Sequence, residues 1–191
     1  MMTPGERWLL LIDCRQEVAV AGLPCSAPHA PSARQNIIRL LDHARASAWP
    51  VFHAWRARSA RQEFRGPIQG LEPLSSEPVL RCASLSVFSV RPFRNVVEQE
   101  APAELLVAGF GLGDMMLATL AAAHEAGVAV TLVEDAVAAA PIGDRSAAEI
   151  ERVTLALATR FARVATTTEC IAEGGGKLIK LGENSNVERW R

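Results

Sequence analysis

Residues 103–139 carry the pattern that most restricts how this chain can fold. The apolar run Leu105–Ala108 breaks into a glycine-rich segment, a helical pattern opens at Asp114, and a second apolar run, Val128–Val133, ends in an acidic pair. Short apolar runs bounded by turn signals predict buried strands. The segment therefore predicts a β-loop-α-β unit whose helix begins at the carboxyl end of a parallel sheet, where open α/β sheets bind ligands. Unpaired N–H groups at such a helix start favour anions and oxyanions.

The rest of the chain alternates strand patterns with helix patterns. Strands are predicted at Trp8–Ile12, Val51–Trp55, Val79–Arg81 and Val164–Thr168, and helices at Pro92–Gln99 and Ser146–Phe161. A further helix is predicted between a Ser32 cap and Pro50, with Ile37, Leu41, Ala44 and Ala48 on its core face. The core face predicted for the last helix is Ile150, Val153, Leu157 and Phe161. Strands that alternate with helices imply a three-layer α/β/α domain around a mostly parallel sheet.

Composition excludes several classes of protein. The 191 residues are 49% apolar and carry a net charge of −1, which predicts one globular domain without the basic surplus of a nucleic-acid-binding protein. No apolar run approaches the roughly 20 residues of a membrane span, and the first apolar run is too short for a signal peptide. The four cysteines show neither CxxC pairing nor Cys/His metal spacing. We therefore expect a cytoplasmic protein with reduced thiols and no membrane association.

The glycine-rich loop and its flanks match a known motif, G-v-x-t-d-x-C-v-x-x-T-a…G-x-x-v-x-v-v-x-D-A. The matching residues are Gly109, Phe110, Thr119, Gly127 and the pair Asp135-Ala136. By this motif the chain resembles the isochorismatase-like cysteine hydrolases, over roughly residues 7–170. The resemblance implies a six-stranded sheet in the order 3-2-1-4-5-6, a single domain over residues 1–191, and a homodimer or higher homo-oligomer. The polar tail, residues 174–191, is expected to be loosely held or used in subunit contacts.

The resemblance also implies a catalytic set of Asp, Lys and Cys, of which this chain retains one member. Asp13 stands at the Asp position, with Arg15 where the family usually has Gln. When the segment Ser86–Phe88 is placed on the family's S/D-A-F, Cys82 falls at the Lys position. Met115 stands at the position of the nucleophilic Cys. A thioether has no ionisable proton and cannot become a thiolate, so only Asp13 carries over. Asp13 at a strand end could instead be a helix cap or a carboxylate that orders the loop.

The backbone N–H groups of the glycine-rich loop are present whatever the side chains at positions 82 and 115. The resemblance implies an oxyanion hole formed by the N–H groups of Gly111 and Met115, beside a non-proline cis peptide between Phe110 and Gly111. The Met115 side chain either fills the space that a substrate would occupy or is simply part of the core.

Side chains from neighbouring segments are predicted to line the same pocket. Phe88 and Arg15 belong to this group by resemblance. Trp55 either lines the pocket or packs in the core. Arg81 either binds a ligand carboxylate or faces solvent, because alternate residues of a strand point to opposite faces and Arg81 would then point away from Cys82.

Three functions are compatible with these residues. The first is a family member that cannot perform thiol-dependent amide hydrolysis and that either binds a small molecule or serves as a structural or regulatory subunit. The second is an active hydrolase that uses Asp13 as a general acid, as the family's isochorismatases do on a vinyl ether, although those enzymes keep the Lys. The third is a hydrolase in which Cys82 is a relocated nucleophile; its other interpretation is a small buried hydrophobic residue.

A dinucleotide cofactor and a metal are not expected. Gly109, Gly111 and Gly113, followed by Asp135, mimic a dinucleotide-binding fingerprint. Asp114 stands where the last glycine belongs, and an acid there would repel a pyrophosphate at the helix start. The resemblance links metal binding in the nicotinamidase branch to an Asp/His cluster after the second strand, and the segment RARSARQEFRG has neither residue.

Overall fold

The computed structural model describes residues 6–15, 30–57 and 66–174. Its six strands are β1 (Arg7–Ile12), β2 (Val51–Arg56), β3 (Val79–Cys82), β4 (Glu104–Phe110), β5 (Val130–Ala138) and β6 (Arg163–Ala165). Its helices are α1 (Ala30–Ala46), α2 (Arg91–Glu100), α3 (Leu117–Glu125), α4 (Ala147–Ala158) and α5 (Thr167–Gly174). Most of the predicted loop 22–32, part of the long connection 56–78 and nearly all of the tail 174–191 lie outside the described residues.

The strands form one sheet in the order β3-β2-β1-β4-β5-β6, and every pairing is parallel. The predicted fold class and strand order are therefore confirmed. All six residues of β1 are buried, as expected of a central strand covered on both faces. This order brings the carboxyl ends of β1, β2 and β4 together, where Asp13 and the glycine-rich loop emerge.

Two apolar layers cover the two faces of the sheet. Alternate residues of a strand face opposite ways, so Leu10 packs with α2, α3 and the end of α4 on one face, which we call the α3 face. Leu11 packs with α1 and α5 on the other, the α1 face. No helix of the described residues is long and apolar enough to cross a membrane.

A bulge in β5 explains why the acidic pair after the second apolar run lies inside a strand and not at its end. Val107 pairs with Leu132, whereas Gly109 pairs with Val137, so two steps along β4 correspond to five along β5. Within the bulge, the carboxylate of Asp135 accepts hydrogen bonds from the N–H and the hydroxyl of Thr167, each at 2.7 Å. Asp135 therefore orders the start of α5.

Helix α5 replaces the end of the predicted last strand. The strand ends at Ala165, and a capping box then begins the helix: the Thr166 N–H and hydroxyl donate to the Glu169 carboxylate at 2.7 and 2.8 Å, and the Glu169 N–H donates to the Thr166 hydroxyl at 3.3 Å. The pattern T-x-x-E is a helix start signal. The sequence contained this signal, and the strand prediction for residues 166–168 is wrong.

The core faces of two helices differ from the prediction. Helix α1 begins at Ala30, before the predicted cap, and ends at Ala46, so Ala48 lies beyond it with a φ of 55° and is exposed. Helix α4 begins after a Ser146–Glu149 capping box and buries Ala147, Thr154 and Ala158. Its predicted core residues Val153 and Leu157 are each 48% exposed. Small residues allow α4 to pack closely on the sheet, and the larger side chains are thereby rotated outward.

Candidate functional site

Asp13 follows β1 directly and is fixed by its neighbours. Its backbone lies at a φ of 50°, and its N–H donates to the carbonyl of Ala54 at 2.8 Å. Its Oδ1 accepts hydrogen bonds from Nη2 of Arg15 at 2.6 Å and from the backbone N–H of Arg56 at 3.0 Å. Asp13 is only 8% exposed, so the carboxylate is held at the carboxyl edge of the sheet by a cation and an amide.

Cys82 ends β3 on the α3 face and is fully buried. Burial, together with the nearby charge of Asp13, raises the pKa of its thiol to about 11. Its Sγ makes a weak contact of 3.8 Å with the carbonyl of Leu80. At neutral pH such a thiol is almost entirely protonated, and the thiolate is the nucleophilic form.

Met115 lies in a single π-helical turn, Leu112–Met116, that precedes α3. Its side chain is fully buried in the same apolar layer as Cys82 and Phe88. Its carbonyl accepts a 2.7 Å hydrogen bond from the hydroxyl of Thr119, which itself accepts the N–H of Val87 at 3.1 Å. Thr119, a residue of the matched motif, thus ties the turn to the segment after β3.

Two glycines shape the loop after β4. Gly109 has a φ of 120°, and a Cβ there would lie 2.2 Å from the carbonyl oxygen of Ile12, so no larger residue fits beside β1. Gly111 has a φ of 87° and begins the π-helical turn. All peptide bonds of the described residues are trans, so the expected cis bond between Phe110 and Gly111 is not found. The left-handed conformation at Gly111 makes the change of direction instead.

An ion pair that the sequence did not reveal lies beside this loop. The carboxylate of Asp114 accepts the backbone N–H of Met115 through Oδ1, and its Oδ2 lies 2.6 Å from Nη2 of Arg56. Arg56 also donates its backbone N–H to Asp13. Arg56 therefore links both carboxylates, although the three residues come from three separate segments of the chain.

Trp55 and Arg81 lie on the α1 face, away from Cys82. They are directly paired in the register of β2 and β3, and the guanidinium of Arg81 lies 4.8 Å from the centroid of the Trp55 ring. The guanidinium of Arg15 lies 5.8 Å from the same ring, within range of a cation–π interaction. Trp55 is 6% exposed, which favours the packing interpretation of this residue.

The predicted site residues thus divide between the two faces. Cys82, Met115 and Phe88 share the apolar layer of the α3 face, with Asp13 at its edge. Phe110 instead packs against the apolar clusters that include α1. Within residues 6–15, 30–57 and 66–174, no group of three or more His, Cys, Asp or Glu side chains is placed to hold a metal ion.

Comparisons with known proteins give a match to one family and to several solved structures with this fold. A family model described as the isochorismatase domain matches residues 7–169. An isochorismatase from Pseudomonas putida KT2440 is similar in structure, with a TM-score of 0.77 and 30% identity over 88% of this chain and 91% of that chain. An isochorismatase-family protein from Chromobacterium violaceum ATCC 12472 has a TM-score of 0.80 and 26% identity over 92% and 96% of the two chains.

A cysteine hydrolase from Pseudomonas syringae pv. phaseolicola 1448A shares the fold, with a TM-score of 0.79 and 19% identity over 91% of this chain and 94% of that chain. A comparison with curated proteins found no match.

Proposed function

Because this chain belongs to the isochorismatase family, we propose that it binds a small molecule at the carboxyl end of its sheet and does not hydrolyse amides through a thiolate. One observation carries the proposal. The side chain of Met115 is fully buried at the position where the resemblance puts the nucleophilic Cys. A buried thioether can neither attack a carbonyl nor be activated by a neighbouring base.

The contacts of Asp114 support the same proposal. Amide hydrolysis needs N–H donors that are free to hold the developing oxyanion. The N–H of Met115, one of the two donors implied by the resemblance, already donates to the carboxylate of Asp114. Arg56 contacts the other oxygen of that carboxylate, which favours its staying in place. A substrate oxygen would have to displace an internal anion to reach this donor.

Cys82 gives little support to a relocated thiol mechanism. A nucleophilic Cys needs a lowered pKa and access to substrate. The Cys82 thiol is fully buried, and burial beside Asp13 raises its pKa to about 11. Cys82 thus has neither the lowered pKa nor the access to substrate that a reactive cysteine needs.

Acid catalysis by Asp13 is the second candidate, since this carboxyl group is retained and lies next to the buried layer that contains Met115. A general acid must present a proton to the substrate. Oδ1 of Asp13 already accepts from a guanidinium and from an amide N–H of the chain itself, and this chain has Cys82 where the resemblance puts the Lys that the family's isochorismatases keep. These two features leave acid catalysis by Asp13 as the weaker candidate.

The charged groups at the carboxyl end of the sheet suit a polar ligand. Asp13 with Arg15, and Arg56 with Asp114, form two ion pairs that a small molecule carrying both donors and acceptors can contact. We also propose, following the resemblance, that the chain forms a homo-oligomer.

The test is ammonia release from acetamide, benzamide and nicotinamide, with ligand-observed NMR of the same amides to follow binding separately. We expect no release from the wild type. The double variant Met115→Cys with Cys82→Lys restores the family's residues and should release ammonia, and adding Asp13→Asn should abolish that release. Release by the wild type that disappears in Asp13→Asn alone would overturn the proposal.

A further inference from the structure

The ion pair between Arg56 and Asp114 leaves one edge of the guanidinium unsatisfied. Nε and Nη2 lie on the same side of a guanidinium, and together they can bind the two oxygens of one carboxylate. In Arg56 both atoms are buried, and neither makes a hydrogen bond within the described residues. Oδ2 of Asp114 lies 2.6 Å from Nη2, but it is not aligned with an N–H bond. Buried donors without acceptors are costly, so this edge suits a better-placed acceptor.

Asp114 cannot fill this edge well, because its other oxygen is held by the loop. Oδ1 accepts the backbone N–H of Met115, and a Cβ added to Gly111 would lie 3.2 Å from the same oxygen. The side chain is short, so only its second oxygen reaches Arg56. The side chain of Asp114 is 43% exposed and that of Arg56 is 28% exposed, and ion pairs this open to water contribute little stability. The Asp114 carboxylate can therefore turn into solvent at low cost.

We propose that Arg56 anchors a carboxylate-binding site, and that Asp114 is an internal carboxylate which occupies this site until a ligand displaces it. The inference rests on the proposed function, because it names the class of small molecule that the carboxyl end of the sheet binds. A ligand carboxylate is not tied to the loop, so its two oxygens can meet Nε and Nη2 together. The departure of Asp114 also releases the N–H of Met115 for another oxygen of the ligand.

The charges around Arg56 favour a monoanion over a neutral amide. Once Asp114 has turned away, the side chains of Asp13, Arg15 and Arg56 carry one negative and two positive charges, and Asp13 is already paired with Arg15. A bound carboxylate balances the charge of Arg56. A neutral carbonyl that displaced Asp114 would regain the hydrogen bond from Met115 but would leave Arg56 without a counter-charge, and a phosphate dianion would bring one negative charge too many.

The test compares benzoate with benzamide, which has nearly the same shape but no charge, by saturation-transfer NMR of the full chain at constant ionic strength. For the wild type, we expect the dissociation constant of benzoate to be at least about fivefold lower than that of benzamide, the equivalent of one exposed ion pair. Asp114→Ala removes the internal competitor and should lower the dissociation constant of benzoate by about a further fivefold. Arg56→Gln removes the anchor and should abolish the preference for benzoate.

Two further measurements tie the binding to this site. The backbone amide resonance of Met115 should shift when benzoate is added to the wild type, because its N–H then loses the Asp114 carboxylate. The matched control is Arg94→Gln, at an arginine that pairs with Glu98 on α2, and it should leave benzoate binding unchanged.

Several results would overturn the proposal. They are equal affinities of the wild type for benzoate and benzamide, an Asp114→Ala variant that binds benzoate no more tightly than the wild type, and no binding of benzoate to either protein. Tighter binding of phenyl phosphate than of benzoate would also overturn it, since the site would then select a dianion. Equal affinities for benzoate and benzamide would leave the proposed function standing, whereas ammonia release from benzamide by the wild type would overturn the proposed function alone.

Discussion

Oδ2 of Asp114 lies 2.6 Å from Nη2 of Arg56, while the other oxygen of the same carboxylate accepts the backbone N–H of Met115. Asp114, one residue before the position that the resemblance assigns to the nucleophile, thus occupies a backbone N–H that the resemblance implies as an oxyanion donor. Arg56, at the end of β2, fixes this arrangement from across the loop. This relationship connects Met115, at the position that the resemblance assigns to the nucleophile, to the ion pairs beside Asp13.

Removal of the Asp114 carboxylate should reopen the donor. In the background of Met115→Cys with Cys82→Lys, we expect Asp114→Ala to raise kcat for ammonia release by up to about 100-fold, since one oxyanion donor contributes about that much. The measurement is steady-state hydrolysis of benzamide with and without the Asp114 substitution.

The matched control for this prediction keeps the shape of the side chain. Asp114→Asn removes the negative charge but can still accept the N–H of Met115, so it should give a smaller increase than Asp114→Ala. Equal activity in the presence and absence of the Asp114 carboxylate would show that the donor was never blocked.

Gly109 should tolerate no side chain. Its φ of 120° is unfavourable for other residues, and a Cβ would lie 2.2 Å from the backbone oxygen of Ile12, which cannot move without separating β4 from β1. We expect Gly109→Ala to lower the free energy of unfolding by about 3 kcal/mol or more, measured by urea denaturation.

Gly127 supplies the comparison for that experiment. It also has a positive φ, of 70°, but nothing lies within 4 Å of the position of its Cβ. Gly127→Ala should therefore lose only about 1 kcal/mol, the cost of the left-handed backbone alone. A similar loss at both glycines would mean that the close approach of Gly109 to β1 contributes nothing.

A buried polar cluster on the α1 face should make stability depend on pH. The carboxylate of Glu77 contacts Nε2 of the fully buried His53 at 2.9 Å and pairs with Arg45 at 2.8 Å. Burial alone would raise the pKa of Glu77, but hydrogen bonds from Arg45, the Leu74 N–H and His53 outweigh burial and hold the pKa at about 2. Burial also lowers the pKa of His53.

Both pKa shifts make the folded protein less stable in acid. Glu77 binds a proton more readily in the unfolded chain, so its contribution to the free energy of unfolding is complete above its unfolded pKa of about 4.5. That contribution is lost as the pH falls towards 2. His53 is held neutral in the fold, so unfolding is also favoured by acid below its unfolded pKa of about 6.5. Between pH 7 and pH 3, we expect the free energy of unfolding to fall by about 2 kcal/mol less in Glu77→Gln than in the wild type. Parallel curves for the two proteins would contradict this.

The alternation of short apolar runs with helical patterns was sufficient to predict a mostly parallel α/β sheet, and the right-handed crossover rule limits its topology. The strand order itself came from the family resemblance. The prediction from sequence failed where the buried face of a helix depended on tertiary packing. The phase of α4 was set by the small residues Ala147 and Ala158 against the sheet, so Val153 and Leu157 turned outward. Periodicity alone did not separate these two apolar faces of one helix.

Matched motif positions could nominate site residues, whereas contacts between distant segments could not be predicted. Asp13, Cys82 and Met115 were assigned by their matched positions, and the structure puts Cys82 and Met115 in one apolar layer; their role in a site stays a prediction. The pairing of Arg56 with Asp114 joins residues 58 positions apart in the sequence, and no local pattern reports it. In the sequence, Asp114 stands out only as an acid that would repel a pyrophosphate, although its position before Met115 also allows it to accept the next N–H.

The central claim, that this chain has no working thiolate, is tested most directly by the pH dependence of iodoacetamide alkylation of the native protein, with each modified cysteine located by mass spectrometry. We predict that Cys82 reacts at pH 8 about 100-fold more slowly than in the urea-unfolded chain, because its pKa is raised to about 11. Rapid modification of Cys82 in the native protein with an apparent pKa below about 8.5 would contradict the account and identify Cys82 as a reactive thiol.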